Sequence, residues 1–134
     1  MAYLLDTNIV SYILKKNATV DKKLREVRRQ GQEVFISCIT YYEVKRGLLA
    51  VNATRQLAEF ERFCQKFKVL LIDDIEIIER ACEIHVNLTR RGTPIQEQDI
   101  LIAATAITRG LIIVSNDSDL LRVQGITLDN WLQT

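Results

Sequence analysis

At 134 residues the chain is sized for one domain, 1–134, and a formal net charge of +1 removes any bulk attraction to nucleic acid. A composition of 48% hydrophobic and 26% charged residues excludes disorder, and one proline with five glycines excludes long irregular linkers. Cys38, Cys64 and Cys82 are odd in number and lack CxxC spacing, which excludes a disulfide frame or zinc site and predicts reduced, buried thiols in a cytoplasmic protein.

Ala2–Leu5 is a short apolar run predicted as a strand, with no signal peptide before it, and it ends at Asp6-Thr7-Asn8, three residues suited to turns and helix caps. A brief helix is expected through Lys15, then a basic helix over Val20–Gln30 closed by Gly31. Val34–Ser37 is β-branched and aromatic, hence a strand. Thr40-Tyr41-Tyr42-Glu43 matches a capping box opening a helix that reaches about Val51. Leu57, Phe60, Phe63, Cys64 and Phe67 recur at helical spacing within residues 54–68. Val69–Ile72 is a third strand candidate, and Asp74–Arg91 a long amphipathic helix stopped by Gly92. Pro94 suits the first turn of a further helix carrying Ile100–Ile107 and ending near Gly110. Leu111–Val114 reads as a fourth strand and Ile126–Leu128 as an edge strand. No run approaches the ~20 apolar residues a membrane span needs.

Short apolar strands alternating with helices predict an α/β fold: a central, mostly parallel sheet flanked by helices. In such open sheets ligand sites gather at the carboxyl ends of the strands. Asp6 follows the first strand, and Ser115-Asn116-Asp117-Ser118-Asp119 follows the fourth. Glu43 lies shortly after the second strand, and Asp99 near the start of the helix carrying Ile100–Ile107. Two strand ends and two helix starts thus bring four carboxylates to one edge. Clustered carboxylates repel, and a divalent cation holds them ionised together. Oxygen donors favour Mg²⁺ or Mn²⁺ over zinc, and such an ion activates water and binds phosphate oxygens, so the pattern points to phosphoryl chemistry.

Each acid also has an ordinary structural reading. Asp6 or Asn8 could cap the first helix, Glu43 could be the reciprocal partner of its capping box, and Asp99 could stabilise a helix N-terminus. Asp117 and Asp119 could be turn residues. The basic excess of residues 1–50, nine Lys/Arg against five Asp/Glu, could face phosphates or simply be a solvated helix face. Trp131 and Tyr41-Tyr42 could stack on bases, with core packing the better expectation. The one histidine, His85, sits mid-helix in no nucleophile–base spacing, and no glycine-rich phosphate loop is present.

Leu4-Leu5-Asp6-Thr7-Asn8, Tyr42-Glu43-Val44 with Gly47-Leu48, Pro94-Ile95 through Asp99-Ile100-Leu101-Ile102-Ala103-Ala104, and Val114-Ser115-Asn116-Asp117 together resemble the PIN domain, and within it the VapC-type toxins of toxin–antitoxin systems. The resemblance runs in the family's order over nearly the whole chain. It implies Mg²⁺- or Mn²⁺-dependent endoribonuclease activity on tRNA or ribosomal RNA, inhibition by a VapB-like antitoxin, and a homodimer. It maps Asp6 and Asp99 to the principal metal ligands and Glu43 and Asp117 to the remaining acidic positions. Asn8 and Ser115 map to polar positions that orient the ligands, and Asp119 to an extra acid. Leu120 departs from a common phenylalanine, and Glu97 from a common aspartate. Two other readings compete. A phosphoryl-transfer protein is suggested by Val69-Leu70-Leu71-Ile72-Asp73-Asp74, although too few residues follow for a receiver domain, and Asn8 stands where a dehalogenase-like phosphatase needs aspartate. A noncatalytic binding module on the same scaffold would be expected to have lost an acid, and the surface of the 40–68 helix pair offers a partner face.

Overall fold

The first strand sets the plan of the molecule. In the computed structural model, which describes residues 1–133, β1 (Ala2–Leu5) lies at the centre of a five-stranded sheet ordered β3-β2-β1-β4-β5. β2 is Glu33–Ser37, β3 Lys68–Leu70, β4 Ile112–Val114 and β5 Leu128–Asp129, and every pairing is parallel. Leu5 sits in register with Ile36 on one side and Val114 on the other. A strand covered on both faces carries continuous apolar sequence, and alternate residues serve different cores. Tyr3 and Leu5 join the core beneath α1 (Thr7–Leu14), α2 (Ala18–Arg29), α3 (Cys38–Ala50) and α4 (Thr54–Lys66). Leu4 points into the core beneath α5 (Ile75–Arg90) and α6 (Glu97–Arg109).

The first core is aromatic. Phe60, Phe63 and Phe67 stack in sequence along and beyond α4, Tyr41 leans on Phe60, and Trp131 packs at 5.6 Å on Tyr3. Trp131 is 1% exposed, so its role is packing, worth about 1.5–3 kcal/mol for a buried side chain of this kind. The second core is finer grained: Ala103, Ala104 and Ala106 let α6 approach the sheet and α5, whose Ile77, Ala81, Ile84 and Leu88 face it. Leu120 is fully buried there and packs in this core. Gly110 ends α6 with φ 67°, a left-handed turn that sends the chain directly into β4.

Several local expectations shift. α3 begins at Cys38 with Ser37 as its cap, the Ser37 Oγ accepting from the Ile39 N–H at 3.0 Å, so Thr40 and Glu43 form no capping box. Pro94 precedes α6 rather than opening it, since the helix starts at Glu97 behind Gln96. β5 forms two residues later than the apolar run suggests, because its pairing with β4 aligns Leu128 with Ile113. Cys38 and Cys64 are partly buried, whereas Cys82 is exposed on the outer face of α5, contrary to the buried thiol expected there. Among the described residues no helix is long and apolar enough to cross a membrane.

Candidate metal-binding acidic site

Strand order reverses beside β1: the chain runs outward through β2 and β3 on one side and β4 and β5 on the other. Helices diverge at such a point and leave a crevice at the carboxyl ends of the strands. Asp6 occupies the end of β1, its N–H donating to the Val114 carbonyl at 2.9 Å. One carboxylate oxygen caps α1 by accepting from the Thr7 N–H at 2.8 Å, and the other accepts from the Ser115 hydroxyl at 2.7 Å. The capping and functional readings of Asp6 therefore coexist. The residue is only 5% exposed, and that burial pushes its carboxyl above the ordinary range. The two hydrogen bonds pull the other way, while Asp117 and Glu43 raise it further.

Ser115 is buried at the end of β4, tied by its N–H to the Asp129 carbonyl at 3.0 Å. Its oxygen accepts from the Asp117 N–H at 3.0 Å while its proton goes to Asp6. One hydroxyl thus fixes both acids. Asp117 accepts from the Asp119 N–H at 2.9 Å and caps the short 3₁₀ turn Ser118–Arg122.

Glu43 projects from α3, and its Oε1 accepts the Thr7 hydroxyl at 2.9 Å. The Thr7 oxygen lies 3.1 Å from Thr40 Oγ, and because its own proton goes to the carboxylate, Thr40 donates to it. Thr40, read from sequence as a helix cap, instead completes this relay from inside α3. Asp99 stands in the first turn of α6. Its carboxyl is pushed up to about 6, first by burial and then by the charges of Asp6, Asp117, Glu43 and Asp119. Every sequence-predicted acid therefore contributes to one negative field. A carboxyl raised by burial and like charges in a crevice is a functional-site candidate.

Asn8 donates to the Asn116 side-chain oxygen across the crevice, and its own side-chain oxygen is buried with no partner. Arg122 pairs with Asp119 at 3.1 Å and donates to the Pro94 carbonyl at 3.2 Å, while Arg91 holds the Arg122 carbonyl at 2.9 Å. This clamp fastens the loop before α6 to the turn after β4. From sequence Thr7 and Thr40 read only as turn or capping residues, and nothing in the local pattern marked Arg91 or Arg122. Glu97 lies 3.5 Å from His85, both well exposed and turned to each other on the α5–α6 surface. A cleft of ≈ 550 Å³ opens beside Ser115, Asn116 and Asp117 towards β5, whereas a groove of ≈ 410 Å³ between α5 and Val123–Gly125 touches none of the acids.

Among the described residues no three Asp, Glu, His or Cys side chains converge to cage a cation alone. Mg²⁺ does not require that: it keeps waters and takes one or two carboxylates together with substrate phosphate oxygens. An all-oxygen donor set, carboxyls raised by burial and neighbouring acids, and the orphaned buried Asn8 oxygen fit a hard divalent cation in this crevice.

The chain is thus a parallel α/β domain with an acidic crevice at its strand-order switch. The PIN domain family matches residues 3–126, and the chain belongs to it. It is 31% identical to the tRNA(fMet)-specific endonuclease VapC of Salmonella typhimurium strain LT2 and 33% identical to the one of Shigella flexneri, with 98% of each chain covered. The DNA-bound VapBC of Salmonella typhimurium superposes with a TM-score of 0.88 at 29% identity over 98% of both chains. The Rickettsia felis VapBC2 bound to promoter DNA gives 0.90 at 23% identity, covering 98% of this chain and 99% of that one, a likeness of fold.

Proposed function

We propose that the chain is a divalent-metal-dependent endoribonuclease acting as the toxin of a VapBC-type toxin–antitoxin pair. The observation that carries this reading is the crevice at the strand ends, where Ser115 ties Asp6 to the Asp117 backbone and Thr7 holds Glu43. Burial first and neighbouring carboxylates second raise Asp6 and Asp99 there. The similarity to VapC ribonucleases over the chain's length supports the reaction class.

Asp6 and Asp99 are the residues proposed to hold Mg²⁺ or Mn²⁺, with Glu43 and Asp117 completing the acidic wall. When bound, the cation supplies Lewis-acid stabilisation of charge on the phosphate and lowers the pKa of water. Ser115 and Thr7 fix the carboxylates of Asp6 and Glu43 before substrate arrives, so little reorganisation accompanies the reaction. Asn8 and Asn116 brace the two strand ends, and Asp119 is held to one side by Arg122. The reaction is hydrolysis, with water attacking phosphorus in line and the 3′-oxygen departing. Transfer RNA is the first substrate class to test, since the Salmonella and Shigella relatives are tRNA(fMet)-specific, and ribosomal RNA is the second.

A VapB-like antitoxin is the proposed protein partner, supported by the VapBC assemblies among the structural relatives. A homodimer and a cytoplasmic setting complete the proposal. Leu49 and Val51, exposed where α3 ends, offer apolar area on the 40–68 helix pair for such contacts.

Incubating antitoxin-free protein with total cellular RNA in Mg²⁺, Mn²⁺ or EDTA tests the activity, with Asp6→Asn as control. Discrete metal-dependent fragments that the control fails to produce are expected. Intact RNA in every lane containing folded, metal-loaded wild-type protein would remove the nuclease assignment in favour of a binding module.

A further inference from the structure

We infer that Tyr42 and Arg46 form a platform on the flank of the acidic crevice that stacks one unpaired base of the RNA and neutralises its phosphate, making them positioning residues for a single-stranded segment. This inference rests on the proposed nuclease reading and names the kind of RNA that the same site takes.

The adjacent tyrosines of α3 have opposite fates. Tyr41 turns inward onto Phe60, with ring centroids 5.5 Å apart, and its hydroxyl accepts from Lys45 at 3.2 Å. Tyr42 is 60% exposed and is the sole aromatic among the large exposed hydrophobic side chains of the described residues. Core packing accounts for the first and leaves the second unexplained. A lone exposed aromatic is ordinary on a protein surface; its setting separates this one. The next residue is Glu43, whose carboxylate is fixed by Thr7 at the crevice. The guanidinium of Arg46 lies 4.9 Å from the Tyr42 ring centroid. Arg46 makes no ion pair among the described residues, in contrast to Arg122, which is committed to Asp119.

Helix geometry puts Arg46 one turn, roughly 5 Å of rise, along α3 from Glu43 and Tyr42. An RNA strand entering the crevice meets five carboxylates, from Asp6, Glu43, Asp99, Asp117 and Asp119, so its flanking phosphates need a cation nearby. Arg46 is a free cation within a turn of Glu43. Its contact with Tyr42 orients the ring, much of whose surface stays in solvent and can take a base, an arrangement that rewards stacking without reading sequence. Bases in an A-form duplex are already stacked on their neighbours, so the platform selects loops, bulges or ends.

The test uses the full chain with Mn²⁺ and a fluorescent single-stranded oligoribonucleotide that the wild type cleaves, beside the same sequence locked in a duplex. Tyr42→Ala should raise KM by about tenfold on the single strand with kcat nearly unchanged, while Tyr42→Phe, which keeps the ring, should stay within about twofold of wild type. Arg46→Gln should weaken binding severalfold and flatten the dependence of log Kd on log salt by about 0.7, the value for one lost single-strand phosphate contact. Unfolding midpoints of all three variants serve as controls, because neither side chain is buried. Equal KM for wild type and Tyr42→Ala, or a Tyr42→Phe defect as large as that of Tyr42→Ala, overturns the platform while wild-type cleavage leaves the nuclease reading standing. Absence of cleavage by the wild type on any RNA overturns both.

Discussion

Two charged regions of this molecule differ in how they hold their charge. At the carboxyl edge of the sheet, burial first and then the charges of Asp6, Asp117, Glu43 and Asp119 push the Asp99 carboxyl up to about 6. Between α2 and α4, Lys16, Arg25, Arg28, Arg62 and Lys66 line a cleft of ≈ 320 Å³ with Asp21 and Glu59 among them. There Lys16 meets Glu59 at 3.4 Å, Arg25 pairs with Asp21, and Arg28 lies 5.1 Å from the Phe67 ring centroid. The cations of the cleft are partly offset and solvated, so that arrangement costs little. The acids of the edge are crowded and partly buried without comparable offset, a cost that folding alone would not retain. Like charges held together against their own repulsion make the acidic edge the proposed working site, and a basic surface of ordinary design offers no such argument.

Removing the charge at the edge is the most severe way to break this contrast. Asp99→Asn or Asp6→Asn should reduce RNA cleavage by more than about 100-fold, since even residues that merely orient metal ligands cost 10–100-fold when changed. The far-UV spectrum should be unchanged, and cleavage at the wild-type rate by either variant would dissolve the distinction between the two regions. Next in size, Ser115→Ala releases Asp6 and Asp117 together and should weaken Mn²⁺ affinity by about 10–100-fold, read by titration calorimetry. An affinity equal to wild type would mean that the serine only packs.

The pH dependence sharpens the comparison further. In EDTA, Asp99 titrates near 6 when folded and near 3.8 when unfolded, so protonation favours the folded chain. The contribution is fully present below the unfolded value and is lost as pH rises through about 6. The melting temperature of Asp99→Asn relative to wild type should therefore increase by a few degrees as pH rises across that value, on the order of 2–4 °C for a domain of this size. A constant difference from pH 5 to pH 8 would contradict the raised carboxyl. The smallest effect belongs to the cleft: Arg28→Gln and Lys66→Gln should each change stability by less than about 0.5 kcal/mol in urea titrations. They should also leave cleavage within about threefold of wild type. A larger loss of cleavage would make the cleft part of the RNA track.

Much of the architecture was legible before any fold was known. The strand periods, the helix stops at Gly31, Gly92 and Gly110, and the alternation of apolar strands with helices are local signals, and they recover every principal element to within a few residues. The capping-box reading of Thr40 and Glu43 failed because Ser37, three residues earlier, caps α3 first, and no local pattern ranks one competent cap above another. The expected burial of Cys82 failed for a related reason: a long helix presents several semi-apolar stripes, and only the packing of α5 on α6 decides which one faces the core.

The placing of Asp6, Asp99 and Asp117 at one edge was legible in sequence, because strand ends and helix starts in a parallel α/β chain share an edge. Glu43, by contrast, lies a turn into α3 and not at its start. The condition of the acids was not legible. That Glu43 takes its proton donor from Thr7, that Ser115 serves Asp6 and Asp117 at once, and that Arg122 draws Asp119 aside are contacts between residues far apart in the chain. The opposite fates of Tyr41 and Tyr42 likewise follow from where α4 docks. Periodicity is a short-range property of the chain, whereas burial, carboxylate repulsion and hydrogen-bond partners depend on which elements meet, and only the folded structure brings those elements together.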